Sequence, residues 1–228
     1  MSAVRSSFYE RYWSGPGKAV PEDDTTTQRR KSLLERALQE FLPADGARRN
    51  RKVLDAGCGD GEFVAFIQSL GFEAVGMDIS RAAIERARGN HPGTEYYVGS
   101  VEETWPFTDG GLDAVWSSEV LEHLFDVHAC LSECNRVLRV GGVLALTAPF
   151  HGYLKNLAIA LAGFEKHYDP YLSHIRFFTR KSLSLCLRRA GFEPLLWRGI
   201  GRFWPLYMSV FVVSRKVRVP EPAPEIAG

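Results

Sequence analysis

Three alternate glycines, Gly57, Gly59 and Gly61, follow the short apolar run that ends in Val53-Leu54-Asp55-Ala56. Such a turn lets the backbone lie against a ligand where a Cβ would clash. The apolar positions that come next, Phe63, Phe66, Ile67 and Leu70, recur at helical spacing. The turn therefore aims the free N–H groups of a helix N-terminus at whatever sits above the strand. About twenty residues further on, a second strand ends in Asp78, where a carboxylate accepts hydrogen bonds from ribose hydroxyls. That is chemistry for holding a nucleoside. The spacing is G-x-G-x-G, not G-x-G-x-x-G, and no Gly-Lys-Ser/Thr follows, which weakens the dinucleotide and phosphate-loop readings. Beyond a fourth strand, Glu119, Glu122 and His123 stand at i, i+3 and i+4 and project from one side if that segment is helical. His151 follows Pro149 at the end of a fifth strand and reaches the same crevice mouth. Cys130 and Cys134 share a helix face, but with no third ligand in view they read as small buried hydrophobes.

The elements that position these groups alternate strand and helix. Strands are expected near 53–56, 74–78, 95–99, 112–117, 143–147, 192–198 and 206–214, and helices near 27–41, 63–70, 81–88, 127–138 and 180–190. Ser80 and Thr179 are placed to cap two of the helices, and Gly141-Gly142 and Gly191 to end them. At 228 residues and 45% hydrophobic, the chain can bury one substantial core. The expected organisation is a single domain, 1–219, with its core in 30–149 and 176–215 and a proline-rich disordered tail over 220–228. The insertion 150–177 interrupts the alternation, mixes apolar residues with His and Tyr, and is expected to form a substrate cap. The aromatic segment Phe8-Tyr9-Glu10-Arg11-Tyr12-Trp13 within 1–29 is either a lid over the site or an anchor for the terminus. A formal net charge of +1 with interspersed signs speaks against nucleic acid. Neither a signal-peptide core nor a membrane-spanning run is seen, and four scattered cysteines fit reduced thiols, so a cytoplasmic protein is expected.

Asp55-Ala56-Gly57-Cys58-Gly59-Asp60-Gly61, with Asp78 in register, resembles the D-x-G-x-G-x-G motif of class I S-adenosylmethionine-dependent methyltransferases. Leu138-Arg139-Val140-Gly141-Gly142 likewise resembles their L-K-P-G-G approach to strand five. The resemblance covers 51–148 closely and 178–214 more loosely. It implies a Rossmann-like, doubly wound α/β fold with seven strands in the order 3-2-1-4-5-7-6, the last antiparallel. It also implies S-adenosylmethionine held by Asp55, Gly57, Cys58, Gly59, Asp78, Ile79, Ser100, Val101, Ser117 and Glu119. Ser100 stands where the family usually carries an adenine-binding aspartate; its hydroxyl and the Val101 N–H are the groups left for that contact.

Methyl transfer from a sulfonium is an in-line displacement that needs an aligned acceptor and, for a hydroxyl, a base. His123 is the natural candidate and His151 its rival. Tyr153, His167 and His174 in the cap are the expected substrate contacts. The E-x-x-E-H run also resembles the ubiquinone-pathway O-methyltransferases, where the matching residues accompany a divalent cation. The same run begins helices in metal-free relatives, so Mg²⁺ at Glu119, Glu122 and His123 is the less favoured alternative. The expected reaction is methylation of a small molecule at a hydroxyl oxygen: phenolic, quinone-like, sugar or lipid-linked. Transfer to nitrogen or carbon, or a non-catalytic cofactor-binding role, are the alternatives. The cap helix could instead lie on a membrane surface or at a dimer interface.

Overall fold

The computed structural model describes residues 2–15, 25–42, 50–168 and 174–223. Parts of the expected lid (1 and 16–24), part of the cap (169–173) and residues 224–228 of the tail lie outside the described residues. In chain order the elements are α1 (Ser2–Ser14), α2 (Thr25–Phe41), β1 (Lys52–Ala56), α3 (Glu62–Ser69), β2 (Glu73–Asp78), α4 (Arg81–Asn90), β3 (Glu95–Val98) and β4 (Leu112–Ser118). A 3-10 turn (Leu121–His123), α5 (Val127–Val137), β5 (Leu138–Pro149), α6 (Tyr153–Ala162), α7 (Phe164–His167), α8 (Arg180–Arg189), β6 (Phe192–Ile200) and β7 (Ser209–Lys216) complete the chain.

The strands form one seven-stranded sheet, β3-β2-β1-β4-β5-β7-β6. β1 to β5 pair in parallel, whereas β7 runs antiparallel to both neighbours. Strand side chains alternate between two cores, as the two-residue period requires. Val53, Ala114, Trp116, Val143 and Ala145 pack with Leu34, Leu38, Ile67 and Ile84 of α2, α3 and α4. Leu54, Val115, Leu144 and Leu146 pack with Leu131, Val137, Leu183 and Leu187 of α5 and α8 on the opposite face. Each fully buried Leu, Ile or Val contributes about 1.5–3 kcal/mol, which is why the central strands read as continuous apolar runs. Both expected caps are formed: Ser80 Oγ accepts from Ala83 N, and Thr179 and Ser182 make a reciprocal capping box.

Three local expectations are corrected. β5 begins at Leu138 rather than near 143, because Leu138 pairs with Leu112 ahead of a register shift that absorbs Gly141 and Gly142. β7 begins at Ser209 rather than 206 and pairs with Ile200, which carries β6 past Arg198. The segment after β4 is not a helix holding Glu119, Glu122 and His123 on one side. Glu119 N donates to Thr147 O (3.1 Å), which prolongs the sheet bonding one residue past β4, and Glu119 takes φ +54°. Only Leu121–His123 winds into a turn.

At the start of the sheet, Asp113 accepts from Lys52 N (2.9 Å), Arg51 Nη1 (2.9 Å) and Arg139 Nε (2.7 Å), and these donors hold its carboxyl below the usual range. That clamp ties β1 to β4. At the other end, β1, β2 and β4 finish side by side, so the glycine turn, Asp78 and Ser118-Glu119 open into one crevice. Such crevices outside carboxyl strand ends are where open α/β sheets bind ligands.

Candidate active site

The crevice is a cavity of ≈ 490 Å³, within the range of small-molecule sites. Its floor is the turn after β1. Gly61 sits at φ +87° directly before α3, whose N-terminus no side chain caps, and its missing Cβ leaves room for the Tyr96 hydroxyl. Gly59, at φ +53°, lies under the Trp13 ring, where a Cβ would come within 2.8 Å of the indole. Asp78 fixes the turn from the next strand: Oδ2 accepts from Gly59 N (3.0 Å) and Oδ1 from Ser80 N (2.9 Å). A carboxylate has about four lone-pair positions, more than the N–H groups of Gly59, Ser80 and Ile79 occupy, so acceptor capacity remains for a ligand.

Asp55 lines the same cavity and is buried. Burial, and then the carboxylates of Asp78, Asp60 and Glu62, push its pKa well above the ordinary value. Burial also raises that of Asp78, partly offset by the N–H groups of Ser80, Gly59 and Ile79. Clustered carboxylates that resist ionisation are electrostatically suited to a cationic ligand.

Of the other expected cofactor contacts, Cys58, Ile79, Ser100, Val101 and Glu119 line the cavity. Ser117 does not. Its Oγ donates to Ala56 O (2.9 Å), and the next residue, Ser118, faces the cavity with its Oγ 3.0 Å from Thr147 Oγ1. Adjacent strand residues point to opposite faces, which is how a one-residue difference moves the contact. The Glu119 carboxylate accepts from Ser209 Oγ (3.1 Å) and faces Arg30 of α2 at 3.5 Å. Arg30 was not among the expected residues, and nothing in its sequence neighbourhood singles it out.

His123 and His174 come together at the cavity wall with ring centroids 4.9 Å apart, and Tyr9 meets His123 edge-on at 6.0 Å. The chain brings His174 there through its neighbours, since Ile175 N and Arg176 N both donate to Glu122 O (2.9 and 3.0 Å). The Glu122 side chain is fully buried, and neither carboxylate oxygen has a hydrogen-bond partner among the described residues. Its Oε1 lies 3.8 Å from His123 Nε2. Burial and then Glu119 drive its pKa well up. Ligand atoms of Glu122, His123 and His174 fall within 4.8 Å of one another, so among the described residues these three, without Glu119, are grouped closely enough to share a cation.

His151, Tyr153 and His167 do not line this cavity. His151 is buried, pairs its Nδ1 with Asn156 Oδ1 (3.2 Å), packs against His167 and Phe177, and is pushed down to about 4 by burial. Tyr153 is exposed on α6 beside Arg180 and Lys181. The remaining wall is α1, through Phe8, Tyr9, Tyr12 and Trp13. Glu10 secures that helix across α4, accepting from Ser80 Oγ (2.8 Å) and Ala82 N (3.2 Å). The aromatic density of the terminus was the signal for this wall. Cys130 and Cys134 are buried free thiols.

Residues 26–196 match the family model described as a methyltransferase domain. The chain belongs to the class I S-adenosylmethionine-dependent methyltransferases. It is 33% identical over 143 residues to a probable S-adenosylmethionine-dependent methyltransferase of Mycolicibacterium smegmatis, covering 63% of this chain and 52% of that protein. It is 31% identical over 142 residues to a malonyl-[acyl-carrier protein] O-methyltransferase of Pseudescherichia vulneris, covering 62% and 54%. The chain thus spans about half the length of these relatives. Among solved structures, magnesium protoporphyrin IX methyltransferase from Synechocystis with bound S-adenosylhomocysteine superposes with a TM-score of 0.69 at 17% identity, over 95% of this chain and 100% of that one. A methyltransferase structure from Bacillus halodurans gives 0.64 at 21% identity, over 82% and 100%. At these identities the likeness carries the fold, including the strand order.

S-Adenosylmethionine is the cofactor of this methyltransferase family, and the cavity fits it. The molecule brings a sulfonium and an ammonium, which suit the crowded carboxylates of Asp55 and Asp78, and ribose hydroxyls, which suit the free lone pairs of Asp78.

Proposed function

We propose that this protein methylates a hydroxyl oxygen of a small-molecule acceptor, with His123 as the base. The observation that carries the reading is the position of His123: an imidazole on the wall of the cavity that also contains the glycine turn and Asp78. S-Adenosylmethionine supplies an electrophilic methyl carbon on a sulfonium. His123 would take the proton of an acceptor hydroxyl aligned with that carbon. Histidine is suited to this because its ordinary pKa lies near neutrality. His174 borders the acceptor, and Phe8, Tyr9, Tyr12 and Trp13 of α1 act as a lid that keeps water from the reacting atoms. On the cofactor side, Asp78 takes the ribose and Ser100 with the Val101 N–H take the adenine edge. A phenolic, quinone-like, sugar or lipid-linked acceptor suits the aromatic wall, and the malonyl-[acyl-carrier protein] O-methyltransferases among the relatives favour oxygen as the acceptor atom. We place the protein in the cytoplasm on its four free thiols.

The test is transfer of labelled methyl from S-adenosylmethionine to a panel of phenols, catechols, sugars and amines. The expected product is an O-methyl ether, and His123→Ala is expected to lower kcat about 10²- to 10⁴-fold while S-adenosylhomocysteine still binds. Methylation of amines alone, or full turnover in His123→Ala, would overturn the reading. One observation favours a second reading: the buried Glu122 carboxylate, without a hydrogen-bond partner among the described residues and beside His123 and His174, suits a divalent cation that would hold the acceptor. Loss of turnover in chelator, restored by a divalent metal, would select it.

A further inference from the structure

Helix α6 is turned inside out. In a helix at a water-facing surface the apolar stripe points to the core and the charged residues point out. Here Lys155 and Asn156 point inward. Lys155 Nζ donates to Phe150 O (2.7 Å) and Met208 O (3.3 Å), and Asn156 brackets His151 through the ring and the carbonyl (3.2 Å each). The leucines point outward: Leu154 and Leu157 are 56% exposed and Leu161 is 79% exposed, and α6 has no buried residue. Leu154, Leu157 and Leu161 at i, i+3 and i+7 form one continuous stripe. The anchoring of Lys155 on Met208 sets the hairpin turn between β6 and β7 beside α6, and that turn exposes Phe203 (73%) and Trp204 (74%). An exposed Leu alone says little, but a helix that spends its polar residues inward beside two exposed aromatics is a built surface.

We propose that α6 and the Phe203-Trp204 turn dock on an anionic lipid bilayer surface. Charge selects this occupant over a second copy of the chain. Arg202 sits in the turn, Arg180 and Lys181 border Tyr153, and the sequence over 150–181 and 200–208 holds six lysines and arginines against two carboxylates, Glu165 and Asp169. Trp, Tyr and Phe beside basic residues are the side chains that settle at the headgroup boundary, while leucines enter the acyl region. A self-contact across this patch would bring the basic rims of two copies together. Among the described residues no helix is long and apolar enough to cross a membrane, so the contact is a surface one. The inference is independent of the methyl-transfer reading, because its readout is vesicle binding.

The full chain is sedimented with vesicles of phosphatidylcholine alone and with vesicles that also contain phosphatidylglycerol, at low and high salt. Co-sedimentation with the anionic vesicles is expected, weakened by salt and reduced roughly tenfold or more by Leu157→Glu with Leu161→Glu, and separately by Phe203→Ala with Trp204→Ala. S-Adenosylhomocysteine affinity is measured in parallel, so that unfolding of a variant is distinguished from loss of the surface. Absence of binding to either vesicle, or binding that both folded variants retain, overturns the proposal. A dimer in sedimentation velocity that Leu157→Glu with Leu161→Glu dissolves, with no vesicle binding by the wild type, also overturns it and assigns the patch to self-association.

Discussion

Replacing Asp78 by Asn separates a ribose-binding role from a purely structural one. The two carboxylate oxygens accept backbone N–H groups, Oδ2 from Gly59 at 3.0 Å and Oδ1 from Ser80 at 2.9 Å, with the Ile79 N–H also acting on the carboxylate, which lines the cavity. Asparagine has a single acceptor oxygen. Its amide nitrogen must then face the Gly59 or the Ser80 N–H, and a buried donor left unsatisfied costs about 1–3 kcal/mol of folding stability. Binding loses in addition the hydrogen bonds between ribose and a charged acceptor, worth about 1.5–3 kcal/mol. That corresponds to a roughly ten- to hundredfold rise in Kd. Calorimetric titration with S-adenosylhomocysteine gives the affinity, and thermal unfolding gives the stability. The expected result is a folded variant with a lower Tm and a Kd raised by that factor. A folded variant that loses stability but binds with wild-type affinity would refute the assignment, leaving Asp78 as a brace for the turn.

Other expectations follow from the same geometry. Asp55 has its folded pKa raised by burial and by Asp78, Asp60 and Glu62, so its contribution to stability is complete below the unfolded carboxylate value and is lost as pH rises through the folded one. Asp55→Asn should therefore raise the Tm of the ligand-free protein at neutral pH, with the gain shrinking toward about pH 4, and should weaken S-adenosylmethionine binding; calorimetry at several pH values reads both. Glu122→Gln should follow the same stability trend, since burial and Glu119 raise Glu122 in the same direction. Dialysis against chelator should leave turnover intact, and a rate that collapses and returns with Mg²⁺ would contradict this. Glu10→Ala removes the acceptor that ties α1 to Ser80 and Ala82, and stopped-flow release of S-adenosylhomocysteine should quicken by about tenfold, the lower end of what charged hydrogen bonds supply.

Both helix caps were legible because each rests on local chemistry, Ser80 before α4 and Thr179 before α8, whereas the strand order was legible only through the resemblance carried by the glycine motif and Asp78, since pairing between distant strands is not written in any one segment. The cavity floor was legible for the same reason as the caps, since glycines at fixed spacing and an acid at the end of β2 are positions along one chain. What was missed depends on contacts between distant segments. The helix expected at Glu119 gives way because Thr147, on another strand, supplies an acceptor that holds Glu119 in the sheet. His174 reaches His123 because its neighbours Ile175 and Arg176 bond to the Glu122 carbonyl, a pairing no sequence spacing encodes. Ser118 rather than Ser117 faces the cavity through strand parity, which the exact phase of β4 decides. The cap helix was legible in the insertion, but the direction its leucines face is decided by Lys155 and Asn156 bonding to Phe150, Met208 and His151.

The most direct measurement is a crystal structure with S-adenosylhomocysteine bound. The ribose hydroxyls are expected at hydrogen-bond distance from the Asp78 carboxylate, adenine against Ser100 and Val101, and the sulfur on the side of the cavity where His123 and His174 meet. A ligand seated elsewhere, or one in this cavity with its ribose away from Asp78, would contradict it.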